Sequence, residues 1–144
     1  MRRAQGDLAG ALDAYTAGKA IRDKLAAADP GNAGWQRDLS VSWEKIGDVR
    51  QDQGDLAGAL DAYTAAKAIR AKLAAADPGN AGWQRDLIVS HVKLSEVAAE
   101  TAAVRAHLAE ALAIARDLQQ SGRLAPVDAW IPATLEQRLA ALDE

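Results

Sequence analysis

The side chains through which this chain could do chemistry are few. His91 and His107 are its only histidines, and it has no cysteine. A catalytic zinc needs three protein ligands plus an open position, and no H-x-x-x-H or H-E-x-x-H spacing occurs. His91 is therefore expected to be a packed residue rather than a ligand. Ser40, Ser42 and Ser90 lie in helix-forming segments with no Gly-x-Ser-x-Gly elbow to expose a nucleophile. The glycines do not form a phosphate-cradling loop. Asp48 and Asp52 stand one helical turn apart, but nothing around them marks a buried acid of the kind general acid catalysis requires. The expectation is a non-enzymatic protein with no catalytic residue, no metal and no cofactor.

The totals point the same way. Seventeen basic and 20 acidic residues leave a formal net charge of −3. That gives no electrostatic reason to expect nucleic acid or an anionic membrane surface as partner. The two arginines near the N-terminus precede no continuous apolar stretch, so a signal peptide is not expected. No apolar run approaches the ~18 residues of a membrane span. A cytoplasmic location is the expectation. Alanine makes up about a quarter of the 144 residues, and Leu, Arg, Lys and Gln surround it, which is helix-forming composition. Small alanine side chains let helices approach closely.

Whatever elements position these residues are largely written twice. Residues 5–52 and 53–100 align without a gap, and 37 of the 48 positions are identical. Self-similarity at such a period is the signature of stacked repeat architectures. In the first copy, Leu8, Ala11, Leu12, Tyr15, Ile21 and Leu25 recur at spacings that predict a helix over 7–28, with Asp7 as a candidate N-cap. Asp29-Pro30-Gly31-Asn32 ends it, because the residue before proline is driven out of the α region and Gly and Asn favour a turn. A second helix runs from Asn32 or Gly34 to about Asp52, with Trp35, Leu39, Trp43 and Ile46 on one face. The second copy predicts a third helix over about 55–76, capped by Asp55, and a fourth over about 81–100. Beyond residue 100 the copying fades, although Val104–Leu118 still aligns with 59–73 once three loop residues are dropped. A sixth helix is expected from about Asp128 to Leu142, with Pro132 in its first turn. Trp35 and Trp83, identical in both copies, are expected to pack helix starts onto the preceding helix.

The order Trp43-x-x-Ile46-Gly47, Gly54-Asp55-Leu56, Ala59-x-x-x-Tyr63 and Pro78 resembles the tetratricopeptide repeat signature. The block Val49–Leu56, with Ala68-Ile69-Arg70-x-Lys72-Leu73, is most similar to the long repeats of the kinesin light chain type, which also occur in large bacterial proteins. The resemblance covers about residues 5–120. It implies small residues, Gly47 and Ala59, where two helices cross, with Tyr63 and Ile46 filling the space around them. The chain departs from the pattern where Arg50 replaces an aromatic residue, where the period is 48 rather than 34, and where His91 and Ser95 replace Trp43 and Gly47.

The resemblance implies an all-α fold: a short solenoid of about six antiparallel helices in a single domain. Its parts would be an orphan helix (7–28), two helix pairs (32–76 and 80–118) and a capping helix (126–143). It also implies a protein–protein interaction scaffold whose concave face receives a peptide or protein segment. By matching positions that face would carry Val41, Glu44, Asp48, Gln51 and Asp52, then Val89, Val92, Glu96, Ala99 and Glu100. Five of these ten are carboxylates, which favours a basic segment, though a solvated helix face would look the same. Leu8, Leu12 and Tyr15 of the unpaired first helix would lie uncovered, which makes a homodimer through that helix a second expectation. A self-association module, or a sensor fragment of a larger signalling protein, are the alternatives.

Overall fold

The structure, a computed structural model, describes residues 5–143. Among these, six α-helices account for nearly all regular structure: α1 (Gln5–Ala28), α2 (Ala33–Asp52), α3 (Leu56–Ala76), α4 (Ala81–Val97), α5 (Thr101–Gln120) and α6 (Ile131–Ala141). A 3-10 turn at Pro126–Asp128 precedes α6. The fold is all-α, as the composition and periodicity lead one to expect. No described helix is long and apolar enough to cross a membrane.

The helix ends follow local chemistry. Asn32 and Asn80 sit in extended conformation and accept hydrogen bonds from the backbone N–H groups of Trp35 and Trp83, each at 3.0 Å. This satisfies one of the donors that a helix start leaves open. Asp55 caps α3 by accepting from Gly58 N at 2.8 Å. At the end of α2, Gly54 takes φ +81°, and Asp55 N reaches back to Arg50 O at 2.8 Å. Gly122 repeats the device after α5 with φ +71° and Arg123 N bonded to Leu118 O. Only glycine adopts that backbone at little cost.

Three boundaries differ from expectation, one of them the start of α6, which comes at Ile131 rather than about Asp128. Helix α1 already includes Gln5, so Asp7 lies within its first turn instead of capping it. Helix α4 ends at Val97, because Ala98 turns to φ −70°, ψ 135°. The Gly-Asp turn of the first copy is missing here, and the chain leaves the helix about three residues sooner. Ala99 and Glu100 consequently belong to the connection, with Glu100 at the N-cap position of α5.

The chain divides into two compact units, residues 1–69 and 70–144, and the division falls inside α3. In the first unit α1 packs on α2, and Ile46, Val49, Ala59, Ala62 and Tyr63 are buried. Tyr63 lies against Gly47 so closely that a Cβ added there would come within 2.5 Å of its ring. Small-against-large packing at this crossing is what the sequence pattern implied. In the second unit α5 packs on both α4 and α6. Ile88, Leu108, Leu112, Leu118, Ile131 and Leu135 form one apolar core, with Ala111 and Ala115 allowing close helix contact.

Candidate functional site

Equivalent side-chain ties occur in the two copies. Arg22 Nη1 donates to Ser42 Oγ at 2.6 Å, and Arg70 Nη1 donates to Ser90 Oγ at 3.0 Å. Gln36 Nε2 reaches Ala26 O at 3.4 Å, and Gln84 Nε2 reaches Ala74 O at 3.3 Å. Of the three serines with no support as nucleophiles, Ser42 and Ser90, both 2% exposed, are thus hydrogen-bond partners of arginine side chains, while Ser40 Oγ donates to the Arg37 carbonyl at 2.7 Å. Because Arg70 is itself buried, its polar contacts are needed to offset its desolvation.

In the first unit Val41, Glu44, Asp48 and Gln51 are half-buried and Asp52 is exposed. Asp48 Oδ1 lies 2.5 Å from the Tyr63 hydroxyl and Gln51 Oε1 lies 3.0 Å from it. Two of the five residues expected to face a partner therefore also anchor a core tyrosine. A polar cleft of about 290 Å³ opens among Tyr15, Lys45, Asp48, Val49 and Asp52. Lys45 places a cation among the carboxylates there, a feature that counting acids had overlooked. Above α2, Lys19 Nζ stands 4.1 Å from the Trp43 ring centroid and 2.6 Å from Asp23. This stacking gives the half-buried indole a cation–π partner.

The uncovered apolar face expected on α1 is placed differently. Leu8 is buried at 3% exposure, while Leu12 and Tyr15 are half-buried. The exposed large apolar residues of α1 are Ile21 and Leu25, at 64% and 40%. They lie toward the C-terminal end of the helix, on the same face by their spacing of four.

In the second unit His91 occupies the position of Trp43 and is buried, and its Nδ1 lies 3.1 Å from His107 Nδ1. The rings are tilted by 41° with centroids 5.3 Å apart. In this geometry one Nδ1 donates and the other accepts. Among the described residues no group of three or more His, Cys, Asp or Glu gathers as a metal set would.

Val89 and Val92, two of the five partner-facing residues expected here, line an apolar cleft of about 130 Å³ between α4 and α6. Ile131 and Leu135 supply its other wall, and Trp130, 59% exposed, stands at one end. Arg85, Lys93 and Arg138 complete the lining, which contains no carboxylate. Arg85 Nε donates to the buried carboxylate of Asp128 at 2.7 Å, so the 3-10 turn is tied to α4. Glu96 is exposed and lies on α4 outside this lining, and Ala99 and Glu100 have left the helix.

Trp130, Arg138 and the Arg85–Asp128 tie were absent from the residues selected by sequence. They lie on the non-repeated tail, where no internal copy supplies a pattern. The one available signal was a tryptophan in a proline-flanked, largely apolar stretch from Leu124 to Ala133. Comparison of the chain with models of protein families, with curated proteins and with solved structures gave no match.

Proposed function

We propose that the chain is a non-catalytic protein–protein interaction module of the tetratricopeptide kind, in which stacked helix pairs present helix-lined faces to a segment of another protein. The observation that carries this reading is the cleft between α4 and α6, an apolar trough with an exposed tryptophan at one end. Large exposed aromatic residues beside an apolar pocket are the features that dominate binding energy at protein interfaces, and apolar troughs between helices commonly receive peptide segments. The 48-residue duplication and its matching Arg–Ser ties support a repeat architecture. The test is selection of random peptides displayed on phage against the full chain, with binding sites mapped by NMR shift changes. The expected outcome is enriched peptides that perturb Val89, Val92 and Trp130. Absence of any enriched peptide, or shifts confined to other surfaces, counts against the module.

A second reading is favoured by one observation. Ile21 and Leu25 are exposed on one face of α1, and such a face favours self-association. Light scattering at ~100 µM is expected to show a dimer that Ile21→Ser with Leu25→Ser converts to monomer. A monomeric parent chain would remove this reading.

A further inference from the structure

The geometry of the two histidines points to a switch: the His91–His107 pair is an acid-sensitive latch between α4 and α5. It holds the helices together while the pair carries at most one added proton, and releases them when both rings are charged. The two Nδ1 atoms lie 3.1 Å apart, and His91 is 6% exposed. A neutral imidazole carries one N–H, so one ring donates while the other accepts. One added proton keeps this bond, with a charged donor and a neutral acceptor. A second makes both Nδ1 atoms donors. Two like charges and two hydrogens then face each other across the same 3.1 Å, and the contact fails. The first copy solves the same position differently. In the alignment of the duplicated stretch, the counterparts of His91 and His107 are Trp43 and Ala62. A large ring and a methyl group stand there, and neither titrates. Both positions have changed together, from large and small to two rings of middle size.

The surrounding groups do not supply the counter-charge that two protons need. On α4 the residues one turn either side of His91 are Leu87, Ile88, Leu94 and Ser95, none of them charged. Asp86, Lys93 and Glu96 lie on other faces by helical spacing. On α3, Arg70 donates to Ser90, the residue before His91, and Lys67 lies one turn before Arg70. Both are cations and oppose further positive charge. On α5, Glu110 is one turn after His107 and exposed. It favours the first proton on the pair, but solvent screens it too well to offset the second. Arg105 and Arg116 of α5 are bonded to Asp143 and Glu136 at 2.8 and 2.7 Å, so those carboxylates meet arginines. Arg138 of α6 borders the α4–α6 cleft instead. Once separated, the rings bind two protons below about pH 6.5, whereas the closed pair binds at most one. The open state therefore binds more protons, and opening grows as pH falls, by about tenfold per pH unit below about pH 6. Carboxylates ordinarily titrate near about pH 4, so the window from about pH 7 to 5 isolates the histidines.

The test is amide hydrogen exchange followed by NMR on the full chain, expressed as protection factors to remove the intrinsic pH dependence of exchange. Between about pH 7 and 5, protection of α4 and α5 should fall at least about tenfold, while that of α1 and α2 changes less than about twofold. Imidazole nitrogen signals should report no more than one added proton on the pair while α4 and α5 stay closed. His91→Trp combined with His107→Ala transfers the first copy's arrangement and should abolish the fall. His107→Asn removes one titrating ring and lets an amide oxygen accept from a charged His91. It should abolish the fall as well, and it serves if the double variant does not fold. Two fully charged imidazoles in a chain whose α4 and α5 remain protected overturn the inference. So does an equal loss of protection in both units, or an acid response that survives in either folded variant.

Discussion

Tyr63 links the core to the candidate face of α2. Its ring fills the space that Gly47 leaves, and its hydroxyl meets Asp48 and Gln51. Tyr63→Ala should cost about 3–5 kcal/mol, as for removal of a large buried side chain, measured by urea unfolding. A loss below about 1 kcal/mol would show that the crossing is not where these contacts place it. Gly47→Ala should also destabilise, by about 1–3 kcal/mol, because the Tyr63 ring must move to admit the methyl group. Asp128 offers a separate test in the second unit. Arg85→Ala leaves its buried carboxylate without that partner and should lower stability by about 1–3 kcal/mol, in the same unfolding measurement. The Tyr63 and Gly47 roles were legible in the sequence, because their spacing matches a known pattern. The Asp128 role was not, since an ion pair spanning 43 residues leaves no local periodicity.

At the scale of elements, duplication carried most of the information. Asn32 and Asn80 cap α2 and α4 with the same bond at the same length. Asn80→Ala should cost about 1 kcal/mol and increase hydrogen exchange in the first turn of α4, while α5 remains protected. Equal exchange in both elements would mean that the cap does not hold the helix start. Legibility declined where copying stopped. The end of α4 was misplaced because Ala98-Ala99-Glu100 has no glycine to announce a stop, and strong helix formers there concealed the break. The start of α6 was placed about three residues early, since Pro126-Val127-Asp128 forms a 3-10 turn first. Periodicity identifies faces well, but short alanine-rich connections contain too few distinct residues to mark a boundary.

At the scale of the molecule, surface charge and apolar exposure separate the candidate faces. Changing Glu44 and Glu96 together to Lys should leave far-UV helicity nearly unchanged, since Glu44 is half-buried and Glu96 exposed, whereas Asp48 is left in place because it accepts from the Tyr63 hydroxyl. If a basic segment binds the face of α2, its affinity should fall in this variant. Unchanged affinity, measured in the same titration, would assign binding to other surfaces. The face of α2 could be enumerated from sequence because it repeats, whereas the α4–α6 cleft required the three-dimensional pairing of a repeat helix with a tail helix. The tight fit of Tyr63 over Gly47 has a further consequence for folding fidelity. Two nearly identical halves invite exchange of helices within or between chains. At the corresponding positions of the next pair stand Ser95 and Leu108. If α3 were offered to α4 in place of α5, Tyr63 would be directed at Ser95, whose Cβ and hydroxyl fill the space that Gly47 leaves open. The single Gly47-to-Ser95 difference thus penalises that mispairing sterically, as adding side-chain atoms to a tight contact does.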